Sequence, residues 1–224
     1  MLTNLRRSPR IRDTAIIMQK FVLEGEHVRL EPLELSHIDA LTDASAVDPS
    51  LYKWSAVPVG EPATRSYVES AIAGRNAGTT VPFAIIRRSD GAVIGSTRYF
   101  DIEYWPWPAT HPKAAAHLPD GCEIGFTWYT RSAIRTAANT EAKLLMLTHA
   151  FESWKLARVC LHTDERNAQS RAAMERIGCR FEGILRSHRL AVDYIPRNSA
   201  RYSIIAADWP EVKAHLIAKQ AQYA

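Results

Sequence analysis

The chain has 224 residues, a formal net charge of +4, 46% hydrophobic residues and 23% charged ones. That length suits one sizeable domain, and the balance is that of an ordinary globular protein, which excludes the fibrous and disordered classes. No apolar run approaches the ~20 residues that span a bilayer, and the N-terminus lacks the apolar centre of a secretory signal.

Arg6, Arg7, Arg10, Arg12 and Lys20, set against Asp13, supply all of the surplus charge. The remainder is near neutral and carries no polyanion signature, so neither nucleic acid nor membrane is expected as a partner. Residues 1–20 read as a basic, disordered N-terminal extension and 21–224 as a single domain. Cys122, Cys160 and Cys179 are widely spaced, with no CxxC pair. They read as buried thiols of a reducing cytoplasm, and no metal site is expected.

In chain order, His27 to Leu33 alternates apolar and polar, which predicts a half-buried strand. Ser36 offers an N-cap for a first helix through Ile38, Ala40 and Leu41, and Thr64 one for a second through Tyr67, Val68 and Ile72. Phe83–Arg87 and Val93–Phe100 form a hairpin around the Ser89-Asp90-Gly91 turn. Residues 103–121, with Trp105, Trp107 and four prolines, are too broken for a helix or a central strand. Glu123–Tyr129 is a strand ending in a polar loop from Thr130 to Asn139. A helix follows over Thr140 to Trp154, with Leu144, Leu147 and Phe151 on one stripe and Ala142, Leu145 and His149 on another. Apolar over so much of its circumference, it is expected to be buried, with His149 a hydrogen-bonded core histidine. Ala157–Thr163 is a strand, and a helix from Asn167 to Ile177 stops at Gly178. Strands near Ile184–Leu190 and Arg201–Ala206 precede a short helix after Asp208-Trp209-Pro210. The whole is a mixed α/β domain.

Two passages carry chemistry. The strand feeding the helix after Asn139 leaves unpaired amides at a positive helix end, a ready anion site flanked by Arg131 and Arg135, with Asn139 or Thr140 as the cap. On composition alone the signal is weak, since most such joints bind nothing. In the second passage, with Asn167 as N-cap, Ser170 shares the inward face with Ala173, Met174 and Ile177. A hydroxyl so placed either bonds its own backbone or has a partner or a task.

In order and spacing, these segments resemble the GNAT superfamily of N-acetyltransferases, in particular its RimJ/RimL-like branch, over about residues 21–213. The specific pieces are Glu123-Ile124-Gly125-Phe126-Thr127-Trp128, Arg135 to Lys143, and Asn167-x-x-Ser170 with Gly178-Cys179-Arg180-Phe181-Glu182-Gly183. The resemblance implies a central, mixed but largely antiparallel sheet flanked by helices, whose strands at Glu123 and Ala157 splay apart. It implies acetyl-CoA as co-substrate, with pantetheine in the gap and the pyrophosphate on the amides of Arg135, Thr136, Ala137, Ala138, Asn139 and Thr140. Asn167 matches an asparagine that contacts the cofactor, and Ser170 a hydroxyl that protonates the departing thiolate. It is compatible with a sheet-edge homodimer. Two departures stand out. Ala138 occupies the place of the first glycine of the family's Arg/Gln-x-x-Gly-x-Gly/Ala pattern, where a positive φ would cost alanine ~1 kcal/mol. Arg197-Asn198 stands where many relatives carry Arg-Asp.

Acetyl transfer to an amine needs the amine neutral, and Glu123, beside the acyl site, is the expected base. Backbone amides near Phe126, Thr127 and Trp128 would polarise the thioester carbonyl. Trp54, Trp105 and Trp107 are the expected acceptor-site residues, although the last two could equally pack their loop against the sheet. The acceptor is an amine of either a protein N-terminus or a small molecule. A catalytically silent acyl-CoA sensor, or a module that binds nucleic acid through the basic arm, is the alternative.

Overall fold

The computed structural model describes residues 19–116 and 118–223. Residues 1–18, which include the four arginines of the basic extension, lie outside them, as does His117. Strands β1 (Leu23–Glu24) and β2 (Val28–Pro32) come first, then helices α1 (Ile38–Ala46) and α2 (Glu61–Asn76). The hairpin β3 (Val81–Arg87) and β4 (Val93–Glu103) leads through a short helix, α3 (Pro112–Ala116), to β5 (Gly121–Tyr129). Helix α4 (Ala138–Thr148), β6 (Arg158–Asp164) and α5 (Ala168–Arg176) follow, then β7 (Arg180–Leu190), β8 (Pro196–Ile205) and α6 (Trp209–Gln220).

The strands form one sheet in the order β1-β2-β3-β4-β5-β6-β8-β7, antiparallel except between β5 and β6. One face carries α4, α5 and α6 over a core that includes Tyr99, Ile124, Met146, Tyr202 and Leu216. The other face carries α1 and α2 over Leu33, Leu41, Val68, Ala84 and Trp128. All three cysteines are buried and free. No described helix is long and apolar enough to cross a membrane.

The helix starts differ from the sequence expectation. Helix α2 begins a turn early, at Glu61 after Gly60, and the Thr64 hydroxyl donates back to the Gly60 carbonyl instead of capping. A 3-10 turn, Leu35–His37, precedes α1 and is closed by a reciprocal cap between Glu34 and His37. Strand β7 begins at Arg180 and β8 at Pro196, four and five residues before their expected starts. Helix α4 ends in a π-helical turn, His149–Ser153. There the His149 ring stacks on Phe21 with centroids 4.2 Å apart. Its Nε2 has no hydrogen-bond partner among the described residues, so stacking replaces the expected hydrogen bond at that atom. Burial holds the imidazole pKa down to about 4, so the ring is neutral. Gly178 follows α5 with φ +92°, the C′ role its position suggested.

The central feature is the joint between β5 and β6. They pair at Gly121–Arg158, Cys122–Val159 and Glu123–Cys160, and then part. Strand β4 holds β5 as far as Tyr129, while β8 holds β6 along its whole length to Asp164. Each half of the sheet is therefore braced on its outer side, and a gap stays open between them. A bulge sharpens the divergence, since Gly125 to Trp128 on β5 opposes only Arg98 to Ser96 on β4. Within it Phe126 adopts φ +50°. Gly95 is needed nearby, because a Cβ there would collide with the carbonyl oxygen of Trp128.

Candidate active site

Because β5 and β6 run the same way, the segments that follow them both lie at the open end of the gap. After β5 the chain makes a 3-10 turn over Arg131–Ala133, and Arg135 takes φ +62° before α4 starts. Ala137 is the N-cap and supplies no side-chain cap, contrary to the capping expected of Asn139 or Thr140. The Thr140 hydroxyl is buried and accepts from Arg176 Nη1 at 3.0 Å. Ala138 is the first helical residue and is absent from the positive-φ positions, so the strain feared for alanine there does not arise. Its amide reaches the Thr136 hydroxyl at 3.3 Å, and that hydroxyl donates to the Ala133 carbonyl.

This loop borders a cleft of about 650 Å³ lined also by Glu26, Arg87, Arg88 and Tyr223. Arg135 is exposed beside it and makes no ion pair among the described residues. Arg87 and Arg88 are paired with Asp90 and Glu24, so the cation on offer is Arg135, set beside the helix-start amides, which together suit an anion. Its far wall, the turn at 25–28, is held by the buried Glu141 carboxylate. That group accepts from the amides of Glu26, His27 and Val28, each at 2.7 Å.

At the closed end sits Glu123, 5% exposed, on the last pair before the strands part. Its Oε2 accepts from Arg189 Nη2 at 2.9 Å, and that same nitrogen donates to Asp101 at 2.6 Å. The Nδ1 of His162 lies 2.9 Å from Glu123 Oε2, within ion-pair range but off the line of a hydrogen bond. The His188 ring stands 5.0 Å from that of His162. Burial, and next the Arg189 cation, push the His188 pKa down, and burial with Arg189 lowers that of Arg197. A buried carboxylate is thus fixed by an arginine at the root of a gap with bare strand edges, within reach of a ligand held there.

The profile of the Acetyltransferase (GNAT) domain matches residues 27–180. The chain belongs to the GNAT acetyltransferase family. It is an acetyl-CoA-dependent N-acetyltransferase, and the mixed sheet flanked by helices is the fold of that family. No curated protein matches the chain. Among solved structures, a GCN5-related N-acetyltransferase from Brucella melitensis is 28% identical with a TM-score of 0.76, covering 90% of this chain and 86% of its own. A protein described as an acetyltransferase from T. thermophilus is 33% identical with a TM-score of 0.71, covering 88% and 96%. Mycobacterium smegmatis RimJ, solved with CoA-disulfide, is 23% identical with a TM-score of 0.70, covering 89% and 92%, and shares the fold.

For a GNAT protein the remaining site residues fall as follows. Asn167 caps α5, its Oδ1 accepting from the Ser170 amide at 3.1 Å. The Ser170 hydroxyl makes no hydrogen bond among the described residues, so it is not spent on its own backbone. Trp54 lies under Arg166, whose guanidinium sits 4.6 Å from the ring, at the open end of the gap. Trp105 and Trp107 lie instead by the paired end. The Trp105 amide and the Trp107 indole both donate to the Asp120 carboxylate at 2.8 Å, and the rings stand 5.9 Å apart. These contacts tie both tryptophans to their own loop. Phe126 is 46% exposed on the bulge. Trp128 is buried in the α1–α2 core, so only its backbone is available to a ligand. The Thr127 hydroxyl accepts from Lys143 Nζ at 2.9 Å and lies 2.8 Å from that of Thr97.

His162, Arg189, Asp101 and Lys143 escaped the sequence reading. Period-2 alternation does put His162 on the same face of β6 as Cys160, the residue opposite Glu123, so that signal was present. Nothing local tells that Arg189, sixty-six residues away, returns to Glu123.

Proposed function

We propose that this GNAT enzyme moves the acetyl group of acetyl-CoA directly onto a primary amine, of a protein N-terminus or a small molecule, with Glu123 as the base. The observation that carries the reading is Glu123 itself, buried where β5 and β6 part and held by Arg189 beside His162. Acetyl-CoA supplies an activated acyl carbon and a thiol leaving group. The amides of Arg135 to Thr140 and the Arg135 side chain hold its pyrophosphate, a reading supported by the unpaired Arg135 beside the start of α4 at the cleft. The bare edge of β5 from Ile124 onward holds the pantetheine arm. Asn167 contributes its amide nitrogen, because its oxygen caps α5.

An α-amine with pKa near ~8, and still more a lysine-type amine near ~10.4, is mostly protonated at neutral pH. Glu123 takes the ammonium proton before attack and passes it to solvent. The freed lone pair forms the nitrogen–carbon bond, the carbon–sulfur bond breaks, and the same carboxylate takes the second nitrogen proton as the amide forms. Amides of Phe126 to Trp128 stabilise the charge that develops on the carbonyl oxygen. Ser170 gives its hydroxyl proton to the departing sulfur and is reprotonated from solvent, to which Glu123 returns its own. The free Ser170 hydroxyl supports that assignment.

The test is thiol release from acetyl-CoA against a panel of primary amines. Glu123→Gln is expected to lower kcat by ~10²–10⁴-fold, with recovery at high pH where the amine deprotonates unaided. Full activity of that variant at neutral pH would remove Glu123 from the mechanism.

A further inference from the structure

Among the described residues, Arg98 is a buried charge without an ionic partner. It lies on β4 opposite Gly125, at the bulge, and is 6% exposed. Its Nε and Nη2 are buried without a hydrogen-bond partner among the described residues, and no carboxylate there pairs with it. Two aromatic rings receive it. The guanidinium carbon is 4.7 Å from the Tyr67 centroid and 4.1 Å from that of Phe126. The π faces recover part of what burying a cation costs, but they offer nothing to the N–H donors at its edge. A cation kept in this state is free to take a partner from outside the chain.

Its placement says what that partner is part of. Phe100 pairs with Glu123, so Arg98 and Glu123 stand one alternation apart on the same face of the sheet. Thr97 and Tyr99 take the other face, where both contact Met146 of α4. The Arg98 edge therefore lies on the Glu123 side, about 7 Å along the strand from that carboxylate's position. The planar fork of N–H groups matches a carboxylate.

We infer that Arg98 anchors the acceptor, and that the preferred acceptor carries a carboxylate close to its reactive amine. The amine lies at Glu123 and the carboxylate at Arg98. The inference rests on the transferase reading above. Two sources supply this chemistry, a free amino acid with its α-carboxylate or a polypeptide whose first residue is acidic.

The experiment compares matched acceptors with acetyl-CoA saturating: a free amino acid against its carboxamide, and a peptide beginning with glutamate against one beginning with glutamine. The wild type is expected to favour the carboxylate member of at least one pair by about tenfold or more in kcat/KM, and the pair that shows it names the source. Arg98→Met, which keeps an apolar stem between the rings, is expected to raise KM for that acceptor and erase the preference, with kcat for carboxylate-free amines little changed. Arg98→Lys is expected to restore part of it. The thermal midpoint of Arg98→Met, followed in parallel, is expected to stay level or rise, since an unpaired buried charge is removed. Equal use of both members of each pair, or a preference that survives in a folded Arg98→Met, would overturn the inference and leave the transferase reading standing. Failure of every amine with the wild type would sink both.

Discussion

Lys143 gives the sharpest test of the packing behind the gap. It is 5% exposed on α4, donates to the Thr127 hydroxyl, and makes no ion pair among the described residues. Burial lowers its pKa from 10.5 to about 8. At 1.36 kcal/mol per unit, holding the ammonium in place at pH 7 costs about 3 kcal/mol. Replacing it by methionine removes that penalty and forfeits one charge-assisted hydrogen bond worth about 2 kcal/mol. The Thr127 hydroxyl is not orphaned, because Thr97 lies 2.8 Å away. Lys143→Met is thus expected to be about 1 kcal/mol more stable at pH 7, a rise in Tm of roughly 2–4 °C for a chain this size. The sign of the pH dependence follows. Between pH 8 and 10.5 the unfolded chain keeps a proton that the folded chain has lost, so wild-type stability from this group rises with pH. The advantage of the variant should shrink across that window. Urea unfolding of both proteins at pH 7, 8, 9 and 10 measures it. A variant less stable at pH 7, or an advantage that ignores pH, would refute the reasoning.

The remaining expectations concern the anion cleft. Glu141→Ala leaves three backbone amides at 25–28 without their acceptor, and a loss of about 3–5 kcal/mol is expected in urea unfolding, together with weaker acetyl-CoA binding. Ala138→Gly, which introduces the glycine expected there from the resemblance, is expected to destabilise α4 by about 0.5–1 kcal/mol and leave the acetyl-CoA Kd within about twofold by titration calorimetry, since φ there is already that of a helix.

How much of this was readable depends on the range of the interaction. Periodicity and turn chemistry place the β3–β4 hairpin, the strand at Glu123 and the Asn167–Gly178 helix within a few residues, because those signals are local. The α4 stripes mislead in one respect. Leu144 and Leu145 are only half buried, whereas Glu141 and Lys143 are inside. Charge at a position says nothing of whether a distant turn or hydroxyl waits to receive it. The same limit hid the site. Glu123 could be placed by its strand, but its partners Arg189 and His162, and the Asp101 that shares Arg189, come from three other strands, and their meeting is set by the sheet order. Arg98 reads in sequence as one more polar strand residue. Its meaning comes from Tyr67 on α2 and Phe126 on the bulge closing over it.

The most direct test is a single turnover of enzyme preloaded with acetyl-CoA, mixed with a primary amine that the wild type accepts, in wild type and Glu123→Gln, beside calorimetric titration of acetyl-CoA into each. The account predicts the same Kd for both proteins and a transfer step slowed by ~10²-fold or more in the variant. Equal transfer rates would contradict it, because the buried carboxylate at the parting of β5 and β6 would then have no part in the chemistry.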